Sequence, residues 1–210
     1  MNLPFPRILY LAGTQDFDSV DSFEHHLRIL LDAGLPWFQL RDKRLDDRAL
    51  FFLAERVRSW TKNSGALLTI NDRPDLAVLC GADGVHLGQE DLSALDAESS
   101  ENFRAKWTGH LGISTHNAHE VLRALTHHPD YLGVGPVFDS PTKVTGVVPR
   151  GVEAFPETQA LTSLPLVAIG GITRENAANV LASGAGTLAV SSLLTARNSP
   201  EKILKNLLSL

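Results

Sequence analysis

The chain has 210 residues, 43% hydrophobic and 20% charged, an ordinary globular composition with enough apolar matter for one sizeable core. Its formal charge of −5 argues against a general nucleic-acid or membrane-surface binder, whose phosphate contacts need clustered Lys and Arg, and leaves open a small anion held by a few local cations. The single cysteine, Cys80, excludes an intramolecular disulfide and a cysteine-based zinc site.

The start, Met1-Asn-Leu-Pro-Phe-Pro-Arg7, lacks the charged-then-apolar pattern of a signal peptide, and no apolar run approaches the roughly 20 residues that span a bilayer, so the expected location is cytoplasmic. The first short apolar run, Ile8–Ala12, suits a buried strand. It is followed by Phe23, Leu27, Leu30 and Leu31 on one helical face, with Asp21-Ser-Phe-Glu24 as a capping box. Trp37–Leu40 is the second run, followed by the helical face of Leu50, Leu53, Ala54 and Val57. Ala66–Ile70 is the third. The apolar segment after it ends at Cys80, which reads as a small core residue rather than a nucleophile. Gly84–Leu87, His110–Ile113 and Tyr131–Val134 are the fourth to sixth strands, with Val121, Leu122 and Leu125 forming a helical face between the last two. Phe138–Leu164 is the longest stretch without a strand, and its polar, Gly and Pro content predicts a mobile active-site loop. Leu166–Ile169 and Thr187–Val190 close the series, with Thr173-Arg-Glu-Asn176 starting the helix between them. Gly34, Gly65, Gly81 and Gly184 stand where helices should end.

Eight units leave about 26 residues each, which is tight but workable with short loops. The reading is α/β, a single (β/α)₈ TIM barrel over residues 1–210. An open doubly wound sheet uses the same alternation, but it would concentrate polar signals at one or two switch points. Here they recur at strand ends along the chain, the rim where a barrel gathers its chemistry.

Those ends read in order as an anion site. Strand two runs into Gln39-Leu40-Arg41-Asp42-Lys43, and alternation turns Gln39, Arg41 and Lys43 the same way, an amide and two cations suited to a diphosphate. Asn71-Asp72 follows strand three and Asp91 follows strand four. Two carboxylates on one rim suit Mg²⁺, which takes few protein ligands and completes its shell with substrate phosphates. Either acid also has a structural reading, Asp72 capping the next turn and Asp91 as the N-cap of the fourth helix. His86, inside an apolar strand, reads as a hydrogen-bonded supporting group rather than a reacting one. The pairs His25-His26 and His127-His128 belong to helices, on the wrong side for catalysis. Ser114 and Thr115 donate to phosphate or cap a helix. Ser140, Thr142 and Lys143 have the composition of an anion-binding lid. Gly170-Gly171 after strand seven, with Val190-Ser191 after strand eight, forms the phosphate cup that barrels often carry there.

The order Gln39-Leu-Arg-Asp-Lys43, Asn71-Asp72, Asp83-Gly-Val-His-Leu-Gly-Gln-Glu-Asp91, Gly112-Ile-Ser-Thr115, Gly135-Pro-Val-Phe, Thr142-Lys143, Ile169-Gly-Gly-Ile172 and Val190-Ser191 resembles the thiamine phosphate synthase family across nearly the whole chain. The resemblance implies a transferase that condenses 4-amino-2-methyl-5-(diphosphooxymethyl)pyrimidine with thiazole phosphate by dissociative, Mg²⁺-assisted alkyl transfer. It implies that Gln39, Leu40, Arg41, Asp42, Lys43, Asn71, Ser114 and Lys143 bind the pyrimidine diphosphate, with Arg41, Lys43 and Lys143 acting on the leaving group. Asp72 and Asp91 would hold Mg²⁺. Ser140, Pro141, Thr142, Gly171, Val190 and Ser191 would hold the thiazole phosphate. No nucleic-acid or membrane partner is implied, and the oligomeric state stays open. Two departures stand out: Asp42 replaces the usual Glu, and Asp139-Ser-Pro-Thr142 replaces a loop that more often shows Thr-x-Thr. A related thiazole tautomerase carries a His and a Cys where this chain has Pro136 and Thr142, so it is the alternative, beside a non-catalytic thiamine-pathway binding protein.

Overall fold

The computed structural model describes residues 5–94, 107–139, 148–195 and 199–210. Eight parallel strands close into a barrel in chain order: β1 (Ile8–Ala12), β2 (Trp37–Leu40), β3 (Leu67–Asn71), β4 (Gly84–Leu87), β5 (His110–Thr115), β6 (Tyr131–Val134), β7 (Leu166–Ile169) and β8 (Thr187–Val190). The seam is β8 against β1, through Ile8↔Leu188, Leu9↔Ala189 and Tyr10↔Val190. Around it lie α1 (Val20–Asp32), α2 (Asp47–Ser64), α3 (Pro74–Cys80), α4 (Gln89–Ala94), α5 (Ala118–Leu125), α6 (Ala154–Gln159), α7 (Ala177–Ala182), α8 (Ser192–Thr195) and α9 (Pro200–Leu208). The barrel expected from alternation is the observed fold. Among the described residues no helix is long and apolar enough to cross a membrane.

Strand alternation sorts the core into two layers. Ile8, Tyr10, Phe38, Leu40, Leu68, Ile70, Val85, Leu87, Ile113, Leu132, Val134, Ala168 and Leu188 point outward and pack on the buried helix faces, including Phe23, Leu27, Leu53 and Val57. Leu9, Leu11, Trp37, Tyr131, Val167 and Ala189 point inward and fill the barrel. Phe5 stacks on Trp37 with ring centroids 5.0 Å apart and meets Tyr131 edge-on, also at 5.0 Å. It therefore plugs the strand-entry end and leaves the exit end for chemistry.

Three local expectations change. The cap of α1 is Ser19, whose side chain accepts from the Ser22 N–H, so Asp21 is not the cap but lies within the first turn. Ser19 wins because its backbone is extended, as a cap requires, while the chain is already helical from Val20. Strand β3 starts at Leu67 rather than Ala66, because the Ala66 N–H bonds Thr61 O at 2.9 Å and helps close α2 around left-handed Gly65. Before α7, Thr173 and Asn176 exchange hydrogen bonds at 2.8 and 3.4 Å, so the expected start is a capped turn and the regular helix begins at Ala177. Cys80 packs partly buried on the main core, and burial pushes its thiol pKa up, which suits a packing residue.

Candidate active site

Inward residues at the strand exits open into a cavity of about 650 Å³. The first wall is built by one loop holding another. Beyond β1, the turn Thr14–Asp16 grips the exit of β2: Gln15 Nε2 donates to Arg41 O at 2.9 Å and its Oε1 accepts the Lys43 N–H at 3.2 Å. Gly13 is needed for this approach, since a Cβ there would collide with the Arg41 carbonyl. From the other side the Asp42 carboxylate accepts the Thr14 N–H and hydroxyl, both at 2.6 Å, and the N–H groups of Arg44 and Leu45 at 2.8 and 2.9 Å. Burial raises the Asp42 pKa, but these hydrogen bonds outweigh it and the net shift is downward. Asp42 thus shapes the loop that carries Arg41 and Lys43.

The clamp presents Gln39 and Arg41 to the cavity. Gln39 is fully buried and donates from Nε2 to Asn71 Oδ1 at 2.9 Å, joining the exits of β2 and β3. Leu40 faces the other way, into the outer core, so only its backbone is turned toward this wall. Lys43 is exposed and lies beyond the end of β2, so the alternation that orients Gln39 does not reach it. Its charge, with that of Arg41, nonetheless acts on Asp72.

Asp72 and Asp91 do come together. Asp72 leaves β3 at φ 61°, its N–H held by His86 O at 2.8 Å, which turns it toward the β4 exit. Burial, the charge of Asp91 and a hydrogen bond shared with Asp91 push Asp72 up to about 6, against the pull of Arg41 and Lys43. Asp91 is not the N-cap of its helix. It sits inside α4, and its Oδ2 reaches back 2.9 Å to the Gly88 N–H, while Gly88 O takes the first helical bond from Leu92. Gly88 is the cap position, and Asp91 supplies the returning half of a capping box. Among the described residues no group of three or more His, Cys, Asp or Glu could hold a metal. The donor set is this carboxylate pair, whose mutual repulsion a divalent cation would relieve.

On the next strands, Ser114 Oγ lies 2.8 Å from His86 Nε2, and both residues line the cavity. Thr115 is buried with its hydroxyl on Gly133 O, so Ser114 is the hydroxyl available at this exit. Across the mouth, Gly170, Gly171, Val190 and Ser191 line the same space. Gly171 has φ 63°, and a Cβ would stand 2.5 Å from Asp139 O and 2.7 Å from Phe138 Cβ. Asn176 Nδ2 fixes its carbonyl at 2.9 Å. Ser140, Pro141, Thr142 and Lys143, expected as the lid, lie outside the described residues, within the part of the loop expected to be mobile that spans 140–147; the rest of that stretch is described and holds α6.

Sequence reasoning passed over two parts of this wall. The β1 exit, Gly13-Thr-Gln-Asp16, carries the same polar signal as the other strand ends. His116 also lines the cavity, with Nδ1 2.7 Å from Glu120 Oε2, and its position directly after Ser114-Thr115 was the available cue.

Comparison with known proteins gives the same outline. The family model described as thiamine monophosphate synthase matches residues 9–194. The thiamine-phosphate synthase of Chlorobium luteolum is 38% identical over 210 residues, covering 100% of this chain and 95% of that protein. That of Gloeobacter violaceus is 42% identical over 192 residues, 91% of this chain, and the chain spans 54% of that relative's length. The solved structure of thiamine phosphate pyrophosphorylase from Pyrococcus furiosus is similar with a TM-score of 0.83 at 27% identity, covering 97% of this chain and 94% of that one.

Proposed function

The chain belongs to the thiamine monophosphate synthase family, and from that premise we propose that it joins a phosphorylated pyrimidine to a thiazole phosphate in the strand-exit cavity. The observation that carries this reading is that Gln39, Arg41, Asn71 and Ser114 line one cavity, while the charge of the same Arg41 reaches the Asp72–Asp91 pair just beyond the exits of β3 and β4. In the proposed reaction the bond between the pyrimidine methylene carbon and diphosphate oxygen breaks, and that carbon bonds to the thiazole nitrogen. Diphosphate leaves with the bonding electrons and the positive charge ends on the thiazolium, so no proton transfer is required.

The work left to the protein is electrostatic and positional. Arg41 offers a guanidinium fork to diphosphate oxygens, and Lys43 and Lys143 add charge that counts for more as the leaving group forms. Gln39 and Asn71, already bonded to each other, offer their remaining donors and acceptors to the pyrimidine. Asp72 and Asp91 would hold Mg²⁺, which fits because a pair of carboxylates leaves room for phosphate oxygens in its shell. When bound, the ion supplies charge neutralisation at the departing diphosphate. Gly171 and the Val190-Ser191 backbone, with Ser140 to Thr142, would receive the thiazole phosphate. The tautomerase alternative is not favoured, because Pro136, on the cavity wall, carries no group for acid–base work.

Lys143 tests the leaving-group role. Lys143→Ala is expected to lower kcat more than it raises KM for the pyrimidine diphosphate. A change in KM alone would reduce Lys143 to a binding residue.

A further inference from the structure

A chain of side chains runs through the middle of the barrel and ends at the cavity. Trp37 Nε1 lies 2.8 Å from Thr69 Oγ1. The Thr69 hydroxyl in turn acts on the Tyr131 hydroxyl and draws its pKa down against the rise that burial causes. That hydroxyl is 3.0 Å from His86 Nδ1, and His86 Nε2 is 2.8 Å from Ser114 Oγ. Gly112 makes room for it, since a Cβ there would collide with the Tyr131 ring. Thr69 and Tyr131 are buried and His86 nearly so.

The first member sets the direction. An indole N–H can only donate, so Thr69 Oγ1 accepts from Trp37 and keeps its own proton to offer the Tyr131 oxygen. Tyr131 then donates to His86 Nδ1, which must be unprotonated to accept. The imidazole proton therefore sits on Nε2 and is donated to Ser114 Oγ. The hydroxyl proton of Ser114 cannot point back at His86 and is left for the cavity. Proton positions here follow from counting donors along the network.

We infer that His86 is a positioning residue, a neutral Nε2–H imidazole whose hydrogen-bond chain from Trp37 turns the Ser114 hydroxyl into a donor toward the substrate diphosphate. The inference rests on the proposed reading of Ser114 as a substrate contact. It adds a cause: a hydroxyl whose proton is directed in advance needs no reorientation when charge develops on the leaving group. With the chain reversed, Ser114 would be an acceptor facing an anion.

Two measurements on the intact chain test this. Imidazole ¹⁵N spectra of the wild type, with His86 assigned by its loss in His86→Gln, should show a protonated Nε2 and a bare Nδ1 at neutral pH. A proton on Nδ1 would overturn the inference whatever the kinetics. The second is a cycle between Tyr131→Phe, which keeps the ring and removes the donor, and Ser114→Ala. Tyr131→Phe should lower kcat by about three- to tenfold in the wild type, the range for one hydrogen bond, and by nothing further in Ser114→Ala. Equal losses in both backgrounds would make Tyr131 a packing residue and overturn the relay while leaving the Ser114 contact intact. Wild-type turnover by Ser114→Ala would remove the substrate contact itself, and the relay with it. His86→Gln, which keeps an N–H able to reach Ser114, should retain more kcat than His86→Leu, and the reverse order would count against the relay.

Discussion

Asp72 carries two opposed demands. Its backbone is left-handed and its carboxylate faces Asp91, so in the absence of a cation it holds a proton to about 6 instead of the ordinary 3.8. Between those values the native state binds more protons than the unfolded state, so the metal-free protein should lose stability as pH rises through that interval. Melting temperatures measured in chelator across it should fall for the wild type and stay level for Asp72→Asn. A level wild-type profile would contradict the carboxylate pairing. For Asp91 the substitution matters, because the carboxylate that would meet a metal also receives the Gly88 N–H on its Oδ2. Asp91→Asn keeps that acceptor and should fold as the wild type, whereas Asp91→Ala should cost about 1 kcal/mol of stability. Both should lose roughly 10- to 100-fold in activity at low Mg²⁺, the scale of weakened metal support, with partial recovery at high Mg²⁺. Wild-type turnover by both at low Mg²⁺ would show that Asp91 serves no metal.

The exits of β1 and β7 show what an element adds beyond its residues. The turn after β1 touches the β2 loop through Gln15 and Asp42, so Arg41 is positioned by a neighbour about 26 residues away in the chain. Gly13→Ala should disturb that clamp, raising KM for the pyrimidine diphosphate and leaving the barrel folded. An unchanged KM would make the clamp irrelevant to binding. Gly171 differs, because φ 63° and contacts at 2.5 and 2.7 Å both oppose a side chain. Gly171→Ala should lower stability by at least about 1–2 kcal/mol whatever the cavity binds. Melting at the wild-type temperature would mean that the β7 exit relaxes easily. A test of the phosphate cup therefore belongs to the substrate, comparing thiazole with and without its phosphate in the unaltered protein. Much of this was legible beforehand: Gln39, Arg41, Asn71, Asp72, Ser114 and Gly171 all fall at strand exits, where a period of two and a polar switch mark them. Lys43 and Leu40 mark the limit of that logic. Alternation stops where β2 stops, and Leu40, one residue from Gln39, faces the helices. The returning bond of Asp91 was not legible, since a one-letter pattern does not say which of several polar residues near a helix start takes the cap.

At the scale of the molecule, the barrel was readable because its strands are short apolar runs that alternate with helical faces in nearly even units. Buried parallel strands must be apolar on both faces, the inner one filling the barrel and the outer one packing on helices. The direction of the Trp37-to-Ser114 chain was not readable, because it needs register: Asn71↔His86, His86↔Gly112 and Gly112↔Tyr131 bring four strands to one level. That level separates a sealed lower barrel, plugged by Phe5, from an open upper one, and the account of function depends on the upper one being a condensing site. The most direct test is turnover by the intact chain supplied with the pyrimidine diphosphate, the thiazole phosphate and Mg²⁺. Thiamine phosphate and diphosphate should appear in equal amounts, and neither should appear when any one of the three is withheld. Diphosphate release that ignores the thiazole, or binding of both substrates without product, would contradict it.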